Sequence, residues 1–300
     1  VKLLASKDSA GEIYRVGEHE VRIEVLGDNS FDGVDIALFA TSGELSSKYV
    51  PAAVKSGAVA IDNSSHFRMQ DGIPLVVPEV NWNAVKDTDK IIANPNCSTI
   101  QLVPVLNEIH KAAGLKRVVV STYQAVSGAG KAALDELWNQ TLAIFNQKEI
   151  EIEELPRQIA FNCVPQIDVI LETGYTKEEM KIINESRKIL GISDLKITST
   201  AVRVPVLHSH AESINVETQR PLSPAQLVEI LSGVEGITVY GEPDEYPMQL
   251  DAAGGDEIHV GRIRKDESVD NGLNLWVVAD NVRKGAALNA VQIAEKLLAR

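Results

Sequence analysis

Asn94-Pro95-Asn96-Cys97-Ser98-Thr99 follows the apolar run Ile91-Ile92-Ala93 and precedes a long apolar-periodic stretch, residues 100–113. A short strand, a Pro-containing turn and a helix in this order form the unit from which helix-covered parallel sheets are built. The reading places the Cys97 sulfur at a helix start, where backbone N–H groups and the helix dipole favour a thiolate over a thiol. Such a thiolate at the end of a strand is a reasonable nucleophile. Taken alone, Cys97 is equally well read as a small buried hydrophobe.

Outward from this turn, the first third of the chain alternates strand-like and helix-like patterns. Residues 1–6, 35–40, 58–61 and 90–93 read as strands and 46–56 as a helix. Alternation of this kind predicts a parallel sheet covered by helices. The loop Thr41-Ser42-Gly43 closes the buried strand 35–40, and such loops line the ligand crevice of open α/β sheets. Beyond the cysteine the pattern changes. Strand-like runs at 117–124, 197–207, 211–218, 258–263 and 273–279 are interspersed with helices at 131–145, 177–190 and 224–231, with Thr176 as an N-cap. This predicts an α+β domain with a mixed or antiparallel sheet. Residues 283–298 read as one amphipathic helix that packs back on the first domain. The expected division is therefore a Rossmann-like parallel-sheet nucleotide domain of residues 1–97 and 282–300, and a catalytic and dimerisation domain of residues 98–281.

Composition restricts the function classes. The 300 residues carry a formal net charge of −13, which argues against nucleic acid as a general partner. No apolar run approaches the ~20 residues of a membrane span, and the opening Val1-Lys2-Leu3-Leu4-Ala5-Ser6-Lys7-Asp8 is too quickly charged for a signal peptide. Two cysteines are too few for a disulfide framework, so a reducing, cytoplasmic setting is expected. Cys163, without basic neighbours, reads as structural.

Several polar runs sit where a purely structural strand would not need them. Asp62-Asn63-Ser64-Ser65-His66-Phe67-Arg68 follows a buried strand, and Arg68 is either an anion-binding fork or a solvated loop arginine. Tyr123-Gln124-Ala125-Val126-Ser127-Gly128-Ala129-Gly130 is a strand end running into a small-residue turn, where a cofactor can approach the backbone or where the turn is merely a turn. Arg203-Val204-Pro205-Val206-Leu207-His208-Ser209-His210 supplies the partner for the cysteine. A regular strand would put Arg203 and His210 on opposite faces, and a bulge or bend at Pro205 is the expected remedy. His208 and His210 would share a face, so a metal pair competes with a Cys–His nucleophile–base pair, though no nearby carboxylates or cysteines complete a shell.

Six segments in order resemble the aspartate-β-semialdehyde dehydrogenase family: NPNCST at 94–99, DNSSHFRM at 62–69, STYQAVSGAGK at 121–131, KEEMK at 177–181, VRVPVLHSHAE at 202–212 and DNVRKGAALNAVQIA at 280–294. The resemblance covers nearly the whole chain. It implies NADPH-dependent reduction of L-aspartyl 4-phosphate to the semialdehyde through a Cys97 thioester, reversible with inorganic phosphate as co-substrate. It also implies a place in lysine, threonine, methionine and diaminopimelate biosynthesis. By resemblance His210 is the acid/base, its ordinary pKa near 6.5 suiting that work, and Gln124 orients the thioacyl group. Arg203 holds the substrate carboxylate, Glu179 pairs with its ammonium, and Arg68, Asn96 and Lys181 hold the phosphate. Thr41, Ser42, Ser127, Gly128 and Asn281 contact the cofactor, with Ser6, Lys7 and Ser9 near its ribose. A homodimer or homotetramer is implied, formed through the sheet of the second domain.

Two departures from the family pattern stand out. Residues 1–6 resemble the family's second strand, so its first βα unit of roughly 30 residues, with the glycine-rich pyrophosphate turn, is not seen. The expectation is weak NADP(H) binding, reduced stability and an exposed middle of the parallel sheet. Asp8 also stands where the NADP-dependent members carry arginine; Lys7 and Ser9 can meet a 2′-phosphate, whereas Asp8 would repel it and suit the ribose 2′-OH of NAD. Rival readings are N-acetyl-γ-glutamyl-phosphate reductase and a non-catalytic homologue with a broken cofactor site. The KEEMK and VRVPVLHSHAE segments oppose the first rival. Retention of Cys97, Gln124, Arg203 and His210 together opposes the second.

Overall fold

The computed structural model describes residues 1–300, which group into two compact units: Val1–Pro74 with Lys86–Ala93, and Leu75–Val85 with Asn94–Arg300. In the first unit β1 (Leu3–Ala5), β2 (Ile13–Val16) and β3 (His19–Val25) form a sheet of order β1-β3-β2. β1 runs parallel to β3, while β2 and β3 make a hairpin in which Val16 faces His19. Gly17, at φ 61°, permits its two-residue turn. A second, wholly parallel sheet contains β4 (Ile36–Phe39), β5 (Val59–Asp62) and β6 (Ile91–Ala93) in that order. Helix α1 (Gly43–Lys55) connects β4 to β5. It starts where the Ser42 hydroxyl accepts the Leu45 N–H, and it turns Val50 and Ala53 inward. The hairpin 13–25 was not among the strands expected from sequence, although its residues alternate.

The second unit is built on a six-stranded mixed sheet of order β10-β11-β12-β9-β7-β8. Its strands are β7 (Leu115–Gln124), β8 (Lys196–Arg203), β9 (His210–Thr218), β10 (Ile237–Val239), β11 (Ile258–Asp266) and β12 (Gly272–Ala279). Its helices are α2 (Pro78–Asn81), α3 (Cys97–Ala113), α4 (Lys131–Phe145), α5 (Lys177–Leu190), α6 (Pro224–Ser232), α7 (Gln249–Ala252) and α8 (Asn289–Leu298). Leu102, Val105, Leu106 and Ile109 of α3, Ile182 of α5 and Leu227 and Leu231 of α6 pack against Val118, Val120, Ile214, Val216, Leu275 and Val277 of the sheet. Each large apolar side chain so buried contributes about 1.5–3 kcal/mol. This core holds the ends of β7, β8 and β9, from which the polar site is made.

Three expectations are corrected. The strand expected over 197–207 ends at Arg203, because Pro205 has no N–H to continue a ladder. The chain then crosses the end of β7, where Val126 and Ser127 donate to the carbonyls of Val206 and Leu207. The single helix expected over 283–298 opens with a π-helical turn, Arg283–Leu288, before α8. By its contacts the terminal segment groups with the larger unit, not with residues 1–74, because Asn289 donates to Val76 O and Asn94 Oδ1 and Lys284 reaches Glu79. No helix is long and apolar enough to cross a membrane.

Candidate active site

Cys97 is the first residue of α3, partly exposed, and Asn96 is its N-cap. The Asn96 side-chain oxygen accepts the N–H groups of Ser98 at 3.0 Å and Thr99 at 3.3 Å. Its own backbone N–H donates to Glu185 Oε2 at 2.6 Å and its side-chain amide to Glu178 Oε1 at 2.8 Å. Two hydrogen bonds to carboxylates on α5 therefore fix Asn96 at the start of α3. Cys163, expected to be structural, is exposed in a loop.

Gln124 at the end of β7 faces Arg203 of β8 on one side and His210 of β9 on the other. Residues in direct register share a sheet face, so three functional groups stand in one row, all nearly inaccessible to solvent. A crossover between two strands therefore brings Arg203 and His210 together, not the bulge in one strand that the spacing suggested. Gly128 closes over this row: a Cβ there would lie 3.0 Å from Arg203 Nη1 and 3.2 Å from His210 Nε2. Arg203 Nη1 donates to Ala125 O at 2.8 Å. His208 is exposed in the crossover while His210 is buried, so the two do not share a face. No group of three or more His, Cys, Asp or Glu is arranged to hold a metal ion.

Helix α5 supplies the acidic wall, where the two adjacent glutamates have different partners. Glu179 closes the capping box of α5, accepting the Thr176 N–H at 2.7 Å, and also accepts the Ala201 N–H at 3.0 Å. Its carboxylate serves the backbone. Glu178 instead receives Asn96 at 2.8 Å, Gln124 at 3.1 Å and, on its other oxygen, Lys181 at 3.1 Å. Lys181 also pairs with Asp168 at 3.0 Å. Glu178, Lys181 and Glu185 lie at spacings of three and four, one face of a helix. That periodicity, with the buried Asn96 cap, is the signal that distinguishes Glu178 and adds Glu185.

The electrostatics follow from burial. Desolvation pushes Glu178 upward, but the charge of Lys181 and the hydrogen bonds from Asn96, Gln124 and Lys181 outweigh it and hold the carboxyl below its ordinary value. Burial lowers Lys181, yet Glu178 and Asp168 raise it more. Arg203 is pulled down by burial against the raising influence of Cys97 and Glu178, which places its guanidinium in the field of the nucleophile. His210 is lowered to about 3, first by burial and then by Arg203. This corrects the expectation of an ordinary histidine near 6.5. Its Nδ1 accepts the Ala125 N–H at 3.0 Å, so the neutral ring carries its proton on Nε2, which is buried without a partner. Two residues on, Glu212 is fully buried and raised well above the ordinary carboxyl value by desolvation, with Gln101 its one favourable polar neighbour.

Ser127 Oγ donates to Asn281 Oδ1 at 3.1 Å, and the same oxygen accepts the Ser209 N–H at 2.9 Å, so this expected cofactor pair adjoins the His210 turn. In the first unit Ser42 caps α1 and Thr41 precedes it. Arg68 is buried and donates to Asn63 O at 2.7 Å. Ser6, Lys7 and Ser9 lie in the turn after β1, where Ser6 Oγ bonds Asp8 Oδ2 at 3.4 Å.

Comparison with known proteins follows the same division. Residues 1–88 match the family model described as semialdehyde dehydrogenase, NAD binding domain, and residues 106–284 match semialdehyde dehydrogenase, dimerisation domain. The chain is 52% identical to aspartate-semialdehyde dehydrogenase of Aquifex aeolicus, over 99% of this chain and 89% of that protein. It is 49% identical to that of Bacillus subtilis, over 98% and 88%. The crystal structure of aspartate semialdehyde dehydrogenase II of Vibrio cholerae, complexed with ASA, superposes with a TM-score of 0.96 at 48% identity, covering 99% of this chain and 89% of that one.

Proposed function

The chain belongs to the aspartate-semialdehyde dehydrogenase family, and from that membership we propose that it reduces L-aspartyl 4-phosphate to L-aspartate 4-semialdehyde with NADPH, reversibly and with inorganic phosphate as co-substrate. The observation that carries the reading is the row Gln124–Arg203–His210 beside a helix-start Cys97. Cys97 Sγ, favoured as thiolate by the α3 N-terminus and Arg203, attacks the acyl carbon. The carbon–oxygen bond to phosphate breaks, leaving a thioester and inorganic phosphate. Arg203 also suits the substrate carboxylate, since its fork binds such groups bidentately. Glu178 suits the ammonium, for which Glu179 was expected, and Lys181 and Asn96 suit the phosphate. Gln124 orients the thioacyl group. His210, with its proton on Nε2, donates to the oxygen on which charge develops.

The chain's residues fit a nicotinamide nucleotide: without a Cβ at Gly128 the backbone lies close against Arg203 and His210, and the Ser127–Asn281 pair lies next to it. By family membership Thr41, Ser42, Ser6, Lys7 and Ser9 are the further residues proposed to contact the cofactor. When bound, NADPH supplies the hydride that turns the thioester into the aldehyde. A homodimer or homotetramer formed through residues of the dimerisation region, acting in the cytoplasm, completes the reading. The test is Cys97→Ser, which should abolish turnover of the semialdehyde with NADP and phosphate while NADPH binding persists. Parallel assay of L-aspartyl 4-phosphate and N-acetyl-γ-glutamyl phosphate discriminates the rival substrate. Turnover by Cys97→Ser would sink the thioester reading.

A further inference from the structure

The segment from Asp280 to Asn289 touches both halves of the catalytic pair. Asn281 Oδ1 accepts the N–H of Ser209, next to His210. At its other end Asn289 donates to Asn94 Oδ1 at 2.6 Å, and Asn94 donates to Ala286 O at 3.2 Å, two contacts on the turn that carries Cys97. Between them the chain is wound wide. Gly285 N–H reaches back five residues to Asp280 O, and Ala287 N–H to Val282 O, both at 3.0 Å. This is a π-helical turn, a form that is rare and that tends to occur at functional sites. Asp280 anchors it, accepting the N–H groups of Val282, Arg283 and Gly254.

Gly285 sits in this turn without a positive φ, so backbone conformation does not demand glycine there. Space does. A Cβ on Gly285 would stand 3.1 Å from Cys97 Cβ, 3.3 Å from Cys97 O and 3.4 Å from Asp280 O. The first two of these atoms belong to the nucleophile itself, and none is the far end of a flexible side chain. A methyl group could enter only if Cys97, Asp280 or the turn itself gave by a few tenths of an ångström.

We infer that Gly285 is a positioning residue: its bare Cα in the π-helical turn sets the height at which Cys97 is presented to the Arg203–His210 row. The inference rests on Cys97 as nucleophile. Displacing a reacting atom by a few tenths of an ångström leaves binding nearly intact and penalises the chemical step.

The experiment uses the full chain. Gly285→Ala should lower kcat about tenfold, leave KM for semialdehyde and NADP within about twofold, and shift the pH dependence of Cys97 alkylation by iodoacetamide. Ala287→Gly, which loosens the same turn at an exposed position, should lower the melting temperature and keep the alkylation profile. The melting-temperature loss of Gly285→Ala should shrink in a Cys97→Gly background, where the facing Cβ is gone, and that double variant carries the test if Gly285→Ala alone does not fold. Unchanged kcat and alkylation in Gly285→Ala, or an equal stability loss in both backgrounds, overturns the inference. Activity in Cys97→Ser would overturn the nucleophile reading separately, since the stability coupling between positions 97 and 285 does not depend on turnover.

Discussion

The side-chain amide of Asn96 donates to Glu178 Oε1 at 2.8 Å, joining the residue before the nucleophile to the first turn of α5. Because Gln124 donates to the same oxygen, one carboxylate orients both the N-cap of α3 and the glutamine of the catalytic row. Glu178→Gln should therefore lower kcat/KM for the semialdehyde between roughly tenfold and a hundredfold, the weight of a charge-assisted hydrogen bond of about 1.5–3 kcal/mol. Glu179→Ala, one residue on, should instead cost stability, about 2 kcal/mol in urea unfolding, with activity per folded molecule retained, because it orphans the backbone N–H groups of Thr176 and Ala201. The opposite pattern would restore Glu179 to the site.

His210 should not titrate in the neutral range. Burial and Arg203 lower its pKa to about 3, so between that value and the ordinary 6.5 the unfolded chain binds the extra proton and the folded chain does not. Stability from this group is full above pH 6.5 and is lost as pH falls toward 3. Nitrogen NMR of the labelled ring should show the Nε2–H tautomer unchanged from pH 8 to pH 5. A ring that protonates near pH 6.5 would contradict the buried geometry.

Glu212 carries the opposite sign. Its folded pKa lies well above the ordinary 4.5, so the folded state binds more protons in the window between the two, and stability falls as pH rises through it. Glu212→Gln keeps the shape and removes that loss. Its melting temperature should exceed that of the parent at pH 8 and approach it at pH 4.5. A variant less stable at pH 8 would mean that the charged carboxylate is wanted there.

Much of the fold was legible because local pattern and final structure agree. Lys131–Phe145 and Lys177–Leu190 are helices over the residues their periodicity outlines, with Thr176 capping the second. The buried strands β4, β5 and β6 read as short apolar runs between breakers. Less visible was anything set by pairing across the sheet. The spacing of Arg203 and His210 suggested one bent strand, whereas two strands flank β7 and meet at Gln124. The different partners of Glu178 and Glu179 depend on helical phase, which shows in the spacing of Glu178, Lys181 and Glu185 only once the Asn96 contact is known. The π-helical turn was hidden because Arg283–Leu288 has the same amphipathic pattern as the α-helix it precedes.

The sequence by itself determined the class of chemistry: a cysteine at a strand-to-helix turn, an arginine and histidine in one segment, and a chain-long order of motifs. Those are properties of residue type and spacing, which local propensity and side-chain chemistry express directly. Only the tertiary structure decided which carboxylate receives Asn96 and Gln124, that His210 is a buried neutral donor and not an ordinary titrating base, and that a Cβ at position 285 would crowd Cys97. Each depends on what stands opposite across a sheet, a helix face or a close contact, and desolvation and steric exclusion act through those neighbours in space whatever their distance along the chain.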